Sequence, residues 1–180
     1  MSPRPVEMAR WIPDDNSGVR YAVQERMIPR IVQSAQYADI VTFANAFQRE
    51  TQAQEAEALL YWVRGHMLYT PDPPGEEYIR WPTVLMAEIR SQRRAVGDCD
   101  DYVMLYATLT VARHIPTSII LIAREPLNDG AGEYQFDHIY TGLAIGPRDE
   151  MVPVDPTGDV AMGWEYERVY LKEVYPINAD

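Results

Sequence analysis

Three side chains in this sequence have the types and the order needed for acyl-transfer chemistry. Cys99, the only cysteine in the chain, sits in Gly97-Asp98-Cys99-Asp100-Asp101. Behind it Val103, Tyr106, Ala107, Thr110 and Val111 recur at helical spacing. The thiol therefore falls at or just before the first turn of a helix, after a glycine-led turn. There it faces unpaired backbone N–H groups and the positive end of the helix dipole, both of which favour thiolate. His138 lies in the alternating stretch Tyr134 to Tyr140, and Asp155 in Val152-Pro153-Val154-Asp155-Pro156. A nucleophile, a base and a group to orient the base follow one another in that order. Taken singly, each has a plainer reading: a small buried hydrophobe, a structural histidine in a strand, and a turn former before proline.

The flanking acids set the terms for the thiol. Asp98, Asp100 and Asp101 oppose thiolate formation, whereas a helix end favours it by only about 0.3–1 kcal/mol at an exposed site. Side chains pointing into solvent would be largely screened, and Asp98 and Asp101 are expected to cap the helix N–H groups. No divalent cation is expected on Asp98, Asp100 and Asp101, because carboxylates at consecutive positions should point in different directions. His66 and His114 read as structural, the latter compatible with a helix C-terminus.

The positioning elements follow from periodicity. Residues 1 to about 19 are proline- and turn-rich and read as an irregular arm anchored by Trp11 and Ile12. Pro29 ends or starts a helix, and a helical pattern runs from Ile31 to about residue 48. A second helix is expected over about 52 to 67, with Ala53, Ala56, Leu59, Leu60, Val63 and Met67 on one stripe. Residues 69–75 form a loop, Trp81-Pro82 breaks the chain, and 83–89 is a short helix ahead of the cysteine helix at about 99–113. Then the character changes. Thr117 to Ala123 is β-branched and apolar, fitting a buried strand. A turn at 128–132 leads to a partner strand in 134–145, and Met151 to Val154 makes a third. Tyr166 to Val174 fits either a fourth strand or a short helix. Helices first and an antiparallel sheet second define an α+β domain. Residues 1–50 supply the arm and first helix, and 51–180 the core.

With 180 residues, 47% of them hydrophobic and 24% charged, the chain suits one domain with a sizeable core. One cysteine excludes an internal disulfide framework and a multi-thiolate metal site. The net charge of −11 repels phosphate backbones and argues against nucleic acid as a partner. Arg90, Arg93 and Arg94 cluster ahead of the cysteine and read as a solvated loop. No apolar run approaches the roughly 18 residues of a spanning helix, so no membrane partner is expected. The first residues lack the apolar core of a secretion signal.

Taken together, these pieces resemble the transglutaminase-like superfamily, whose fold is papain-like. The likeness covers roughly Glu55 to Gly158. It rests on Trp62-Val63-Arg64-Gly65-His66, Trp81-Pro82, Gly97-Asp98-Cys99-Asp100-Asp101, Ile115-Pro116, Asp137-His138 and Val154-Asp155-Pro156. The Gly-Asp-Cys-Asp-Asp form looks closest to the transglutaminase-like proteins of Mu-like tailed bacteriophages. The resemblance implies Cys99 as nucleophile, His138 as general base and acid, and Asp155 as the orienting carboxylate, with no cofactor. The Cys99 amide would supply one oxyanion donor; Trp81 and Gln135 are candidates for the second. Family members often carry glycine where this chain has His114. The implied activity is a cysteine-dependent hydrolase or acyltransferase of the peptidase or amidase type, acting on a protein or a peptidoglycan peptide, in the host cytoplasm or in a virion. The competing expectation is a phage structural or assembly protein that keeps the fold without the chemistry. Its arm, acidic charge and aromatics such as Trp11 and Trp164 would then serve self-association or contacts with other phage structural proteins.

Overall fold

A computed structural model describes residues 16–73, 78–126 and 134–178. The sequence around the cysteine dictates the centre of the fold. In α6 (Cys99–Ala112) every residue except Cys99 is buried. A helix that is apolar all round must be enclosed on all sides, so the single stripe read from the sequence understates its role. Its buried hydroxyls are satisfied within the helix, Thr108 donating to the Met104 carbonyl and Thr110 to that of Ala107.

The enclosure comes from helices on one side and a sheet on the other. Packed against α6 are α2 (Ile28–Ala35), α3 (Ala38–Asn45), α4 (Gln52–His66) and α5 (Pro82–Gln92). Thr51 and Gln54 form a reciprocal capping box at the start of α4. Tyr106 of α6 donates its hydroxyl to the Ala56 carbonyl of α4. Arg113, just past α6, grips the Glu55 carboxylate of α4 through two bonds of 3.0 Å.

The other side is a four-stranded antiparallel sheet in the order β5-β4-β3-β6, made of β3 (Thr117–Ala123), β4 (His138–Ala144), β5 (Met151–Val154) and β6 (Leu171–Ile177). The helices therefore pack on an antiparallel sheet, as the α+β reading requires. Register places the chemistry. Ile122 pairs with His138 at the first position of β4, and Thr141 pairs with Val154, so Asp155 follows directly on the end of β5.

Several local expectations need correction. The segment from residue 16 is helical, not irregular: α1 (Asn16–Ala22) runs through a π turn (Val23–Met27) into α2. Pro29 sits in the first turn of α2, where a missing N–H is tolerated. The helix expected over 31–48 breaks at Tyr37, whose extended backbone re-aims the chain so that Ile40 and Ala44 of α3 are buried beside α6. The last strand begins at Leu171, later than expected, and is not a helix. Two short parallel strands were not expected: β1 (Met67–Tyr69) spans the expected end of the helix and start of the loop, and β2 (Ala95–Gly97) lies in the turn ahead of the cysteine. Arg90 closes α5 and pairs with Asp39. Trp11, most of the N-terminal arm and the turn at 128–132 lie outside the described residues. Among the described residues no helix is long and apolar enough to cross a membrane.

Candidate active site

The approach to Cys99 is built by β2. Pairing of Tyr69 with Gly97 and the bond from the Thr70 amide to the Gly97 carbonyl hold the turn that leads into α6. Gly97 is glycine for lack of room, not for its backbone angles. A Cβ there would lie 2.4 Å from Asp101 Oδ2 and 2.6 Å from Arg80 Nη2. Asp98 is the N-cap residue, and its carbonyl accepts the first helical bond, from the Tyr102 amide. Cys99 is thus the first residue of the helix and half-buried, with its own N–H among the four that a helix leaves unpaired within itself.

The expected capping roles are corrected here. The Asp98 side chain makes no cap bond. Asp101 turns away to accept from Arg80 instead, at 2.6 and 3.0 Å from the guanidinium and 3.2 Å from the backbone N–H. Burial pushes the Asp101 carboxyl up to about 6, against the pull of Arg80 and with the charge of Asp98 adding to the push. The pair remains ionised at neutral pH, and it ties the start of α6 to the segment before α5. Nor do the three acids diverge as expected: one oxygen each from Asp98, Asp100 and Asp101 lies within 4.8 Å of the others.

His138 and Asp155 meet on the sheet edge. His138 Nε2 is 2.8 Å from Asp155 Oδ2. Asp155 is also held from three other directions, by the Tyr166 hydroxyl on Oδ2 (2.6 Å) and by the Thr157 hydroxyl (2.6 Å) and amide (2.9 Å) on Oδ1. Burial alone would raise this carboxyl. The bond and charge of the His138 ring, with those of Thr157 and Tyr166, outweigh burial and hold it well below the usual carboxylate range. An ionised Asp155 accepts only, so Nε2 carries the hydrogen and Nδ1 is the nitrogen left for the thiol. The ring is fixed further by Tyr166, edge-on at 5.3 Å, and Tyr140, stacked at 6.1 Å.

Cys99 and His138 line one cavity of about 140 Å³. Asp98 and Asp100 share its polar wall, and Val23, Met27, Ile79, Leu121 and Phe136 make up much of the rest. Val19 and Ala22 of α1, with Val23 and Met27 of the π turn, therefore form part of this wall, and of these only Val19 falls in the stretch read from the sequence as an irregular arm. Tyr69, exposed on β1, feels the same acidic group of residues. Burial and the negative groups at Cys99, Asp98 and Asp100 push its phenol above the ordinary value.

Neither candidate for the second oxyanion donor lines the cavity. Trp81 is the N-cap residue of α5 and stacks under the Arg30 guanidinium at 5.1 Å. Gln135 is half-buried next to Phe136. His66 accepts its place from Trp62, stacked at 4.5 Å and bonded through the Trp62 carbonyl, and His114 is exposed past the end of α6, so neither belongs to the site. Sequence reasoning missed Arg80, Thr157, Tyr166 and Tyr69. In comparisons with known proteins, no protein-family model matches this chain and no curated protein matches it.

Proposed function

We propose that this protein is a cysteine-dependent amide hydrolase or acyltransferase of the transglutaminase-like type, with a papain-like arrangement of helix-borne thiol and sheet-borne histidine. The observation that carries the reading is the His138–Asp155 bond of 2.8 Å at the wall of the cavity that holds Cys99. The Cys99 thiolate attacks a substrate amide carbonyl, and the oxyanion that forms is held by the Cys99 N–H at the tip of α6. His138, through Nδ1, gives its proton to the leaving amine as the C–N bond breaks, leaving an acyl-thioester. His138 then takes a proton from water, whose oxygen displaces the thiolate to release a carboxylic acid. An amine in place of water would give transfer. Hydrolysis of a protein or peptidoglycan peptide is the favoured outcome, in the host cell or carried in a virion.

The test is Cys99→Ala beside His138→Ala. The first abolishes amide turnover and labelling by iodoacetamide while leaving the melting temperature nearly unchanged. The second moves the alkylation of Cys99 to higher pH, because the imidazolium no longer steadies the thiolate. Full turnover in Cys99→Ala would end the proposal.

An assembly protein of a phage particle that retains the fold without using it is the second reading. It is supported by the cross-paired Leu68 and Val96, half exposed on the small sheet, and by Trp164, 41% exposed. It expects multimers in light scattering whose formation does not depend on Cys99.

A further inference from the structure

The wall beside the thiol holds a charge that the fold leaves unserved. Asp98 is only 8% exposed, it lines the cavity with Cys99, its side chain caps nothing, and its Oδ1 has no hydrogen-bond partner among the described residues. A buried carboxylate oxygen without a donor carries a desolvation cost that nothing in the fold offsets. Such a cost persists where a ligand supplies the donor. Asp100, also 8% exposed, shares the same wall. The guanidinium of Arg80 is spent on Asp101 and Glu88.

We propose that Asp98 and Asp100 form an ammonium-binding subsite beside Cys99, so that the substrate carries a primary ammonium, on a lysine-type side chain, next to the amide that is cleaved. The inference rests on the hydrolase reading and names the substrate class for that same site. A primary ammonium brings three N–H donors on a compact head. Its methylene stem suits the apolar walls of Val23, Met27, Ile79, Leu121 and Phe136. The size agrees. A cavity of about 140 Å³ is well above the roughly 10–15 Å³ that one water needs by the same measure, which leaves room for a short alkylammonium. A hard divalent cation suits the wall less well. Calcium takes six to eight oxygen ligands, and both oxygens of Asp101, the third acid of the cluster, already accept from Arg80.

The test needs no knowledge of the natural substrate. Methanethiosulfonate reagents transfer their thioalkyl group to Cys99, the thiolate displacing methanesulfinate and forming a mixed disulfide. Rates are measured for the 2-aminoethyl, methyl and 2-sulfonatoethyl reagents and normalised to those of free cysteine. The expected result is a preference for the aminoethyl over the methyl reagent of about tenfold or more, the scale of one charge-assisted hydrogen bond. That preference collapses in Asp98→Asn and shrinks in Asp100→Asn, and it survives in Glu57→Gln, which removes an exposed charge on α4. Melting temperatures confirm that each variant folds. Equal normalised rates in the parent, or a preference untouched by Asp98→Asn, overturn the subsite. If Cys99 then still shows its His138-dependent reactivity toward the methyl reagent, the hydrolase reading stands without it. Loss of that dependence removes the reading and the subsite together. Millimolar calcium or magnesium that raises the melting temperature through Asp98 and abolishes the preference would make the site a metal site, and also overturns the proposal.

Discussion

At the scale of single residues, Asp155 is the most constrained group in the site. Its two oxygens accept four hydrogen bonds, from His138, Tyr166 and, twice, Thr157. That satisfaction is what lets a carboxylate stay ionised at 3% exposure. The donors do different jobs. The His138 bond fixes the tautomer, whereas the Tyr166 and Thr157 bonds fix the carboxylate. Asp155→Asn keeps the shape but removes the charge that steadies the imidazolium, and its amide can present N–H to the ring. Single-turnover acylation in that variant should fall by about 10²–10⁴-fold. Tyr166→Phe deletes one of four donors and leaves the charge and the His138 bond in place. It should cost about 0.5–1.5 kcal/mol in urea denaturation with a rate loss well below that of Asp155→Asn. Equal rate losses in the two variants would mean that Tyr166 touches the reacting groups directly.

At the scale of elements, the Gly-Asp-Cys-Asp-Asp run is a junction in which each position has its own reason. Gly97 makes room for the Arg80–Asp101 pair, Asp98 opens the helix and faces the cavity, Cys99 takes the first turn, and Asp101 anchors the helix start. In Gly97→Ala the new methyl meets Asp101 and Arg80 well inside contact distance. Overpacking of this kind costs about 1–3 kcal/mol, to be read from thermal or urea melts. Because the same turn aims Cys99, its alkylation should slow as well. The helix over Gln52–His66, the cysteine helix and strand β3 were legible because their apolar spacing and length agree with one period. Cys99, His138 and Asp155 were legible because each sits at the edge of such an element. Arg80, Thr157 and Tyr166 were not, since their roles come from long-range packing that leaves no mark on local pattern. β1 and β2 are three residues each and too short to show alternation. His114 illustrates a half-legible case. The bonds from the amides of His114 and Ile115 back to Val111 and Thr110, with His114 at φ 56°, make the left-handed helix stop that usually takes glycine.

At the scale of the whole molecule, ion pairs tie elements together, α4 to the end of α6, Arg80 to the start of α6, α1 to β6 and β4 to the end of β5, and their carboxylates set the response to acid. Glu55 is held below its ordinary value chiefly by its bond to Arg113. Glu173 is held down chiefly by Arg20, and Asp155 by His138, Thr157 and Tyr166 against its burial. A carboxyl lowered in the fold takes up its proton later than the same group in the unfolded chain. As pH falls below about 4.5 the unfolded state therefore binds more protons, and stability present above that range is lost through the folded values. Asp101 acts the other way. Raised to about 6, it keeps a proton that the unfolded chain has shed, so its contribution declines as pH rises from about 4 to 6. The lowered groups outnumber it, and the melting temperature should drop steeply on acidification below about pH 4.5. Glu55→Gln tests the cause. At pH 7 it removes the charge that Arg113 faces and should lower the melting temperature. As pH falls below the ordinary glutamate value the unfolded parent takes up its proton first and the advantage of the charge shrinks, so the two curves should converge on acidification. Parallel curves from pH 7 to pH 3 would show that the link between α4 and the end of α6 is held by packing, not by charge.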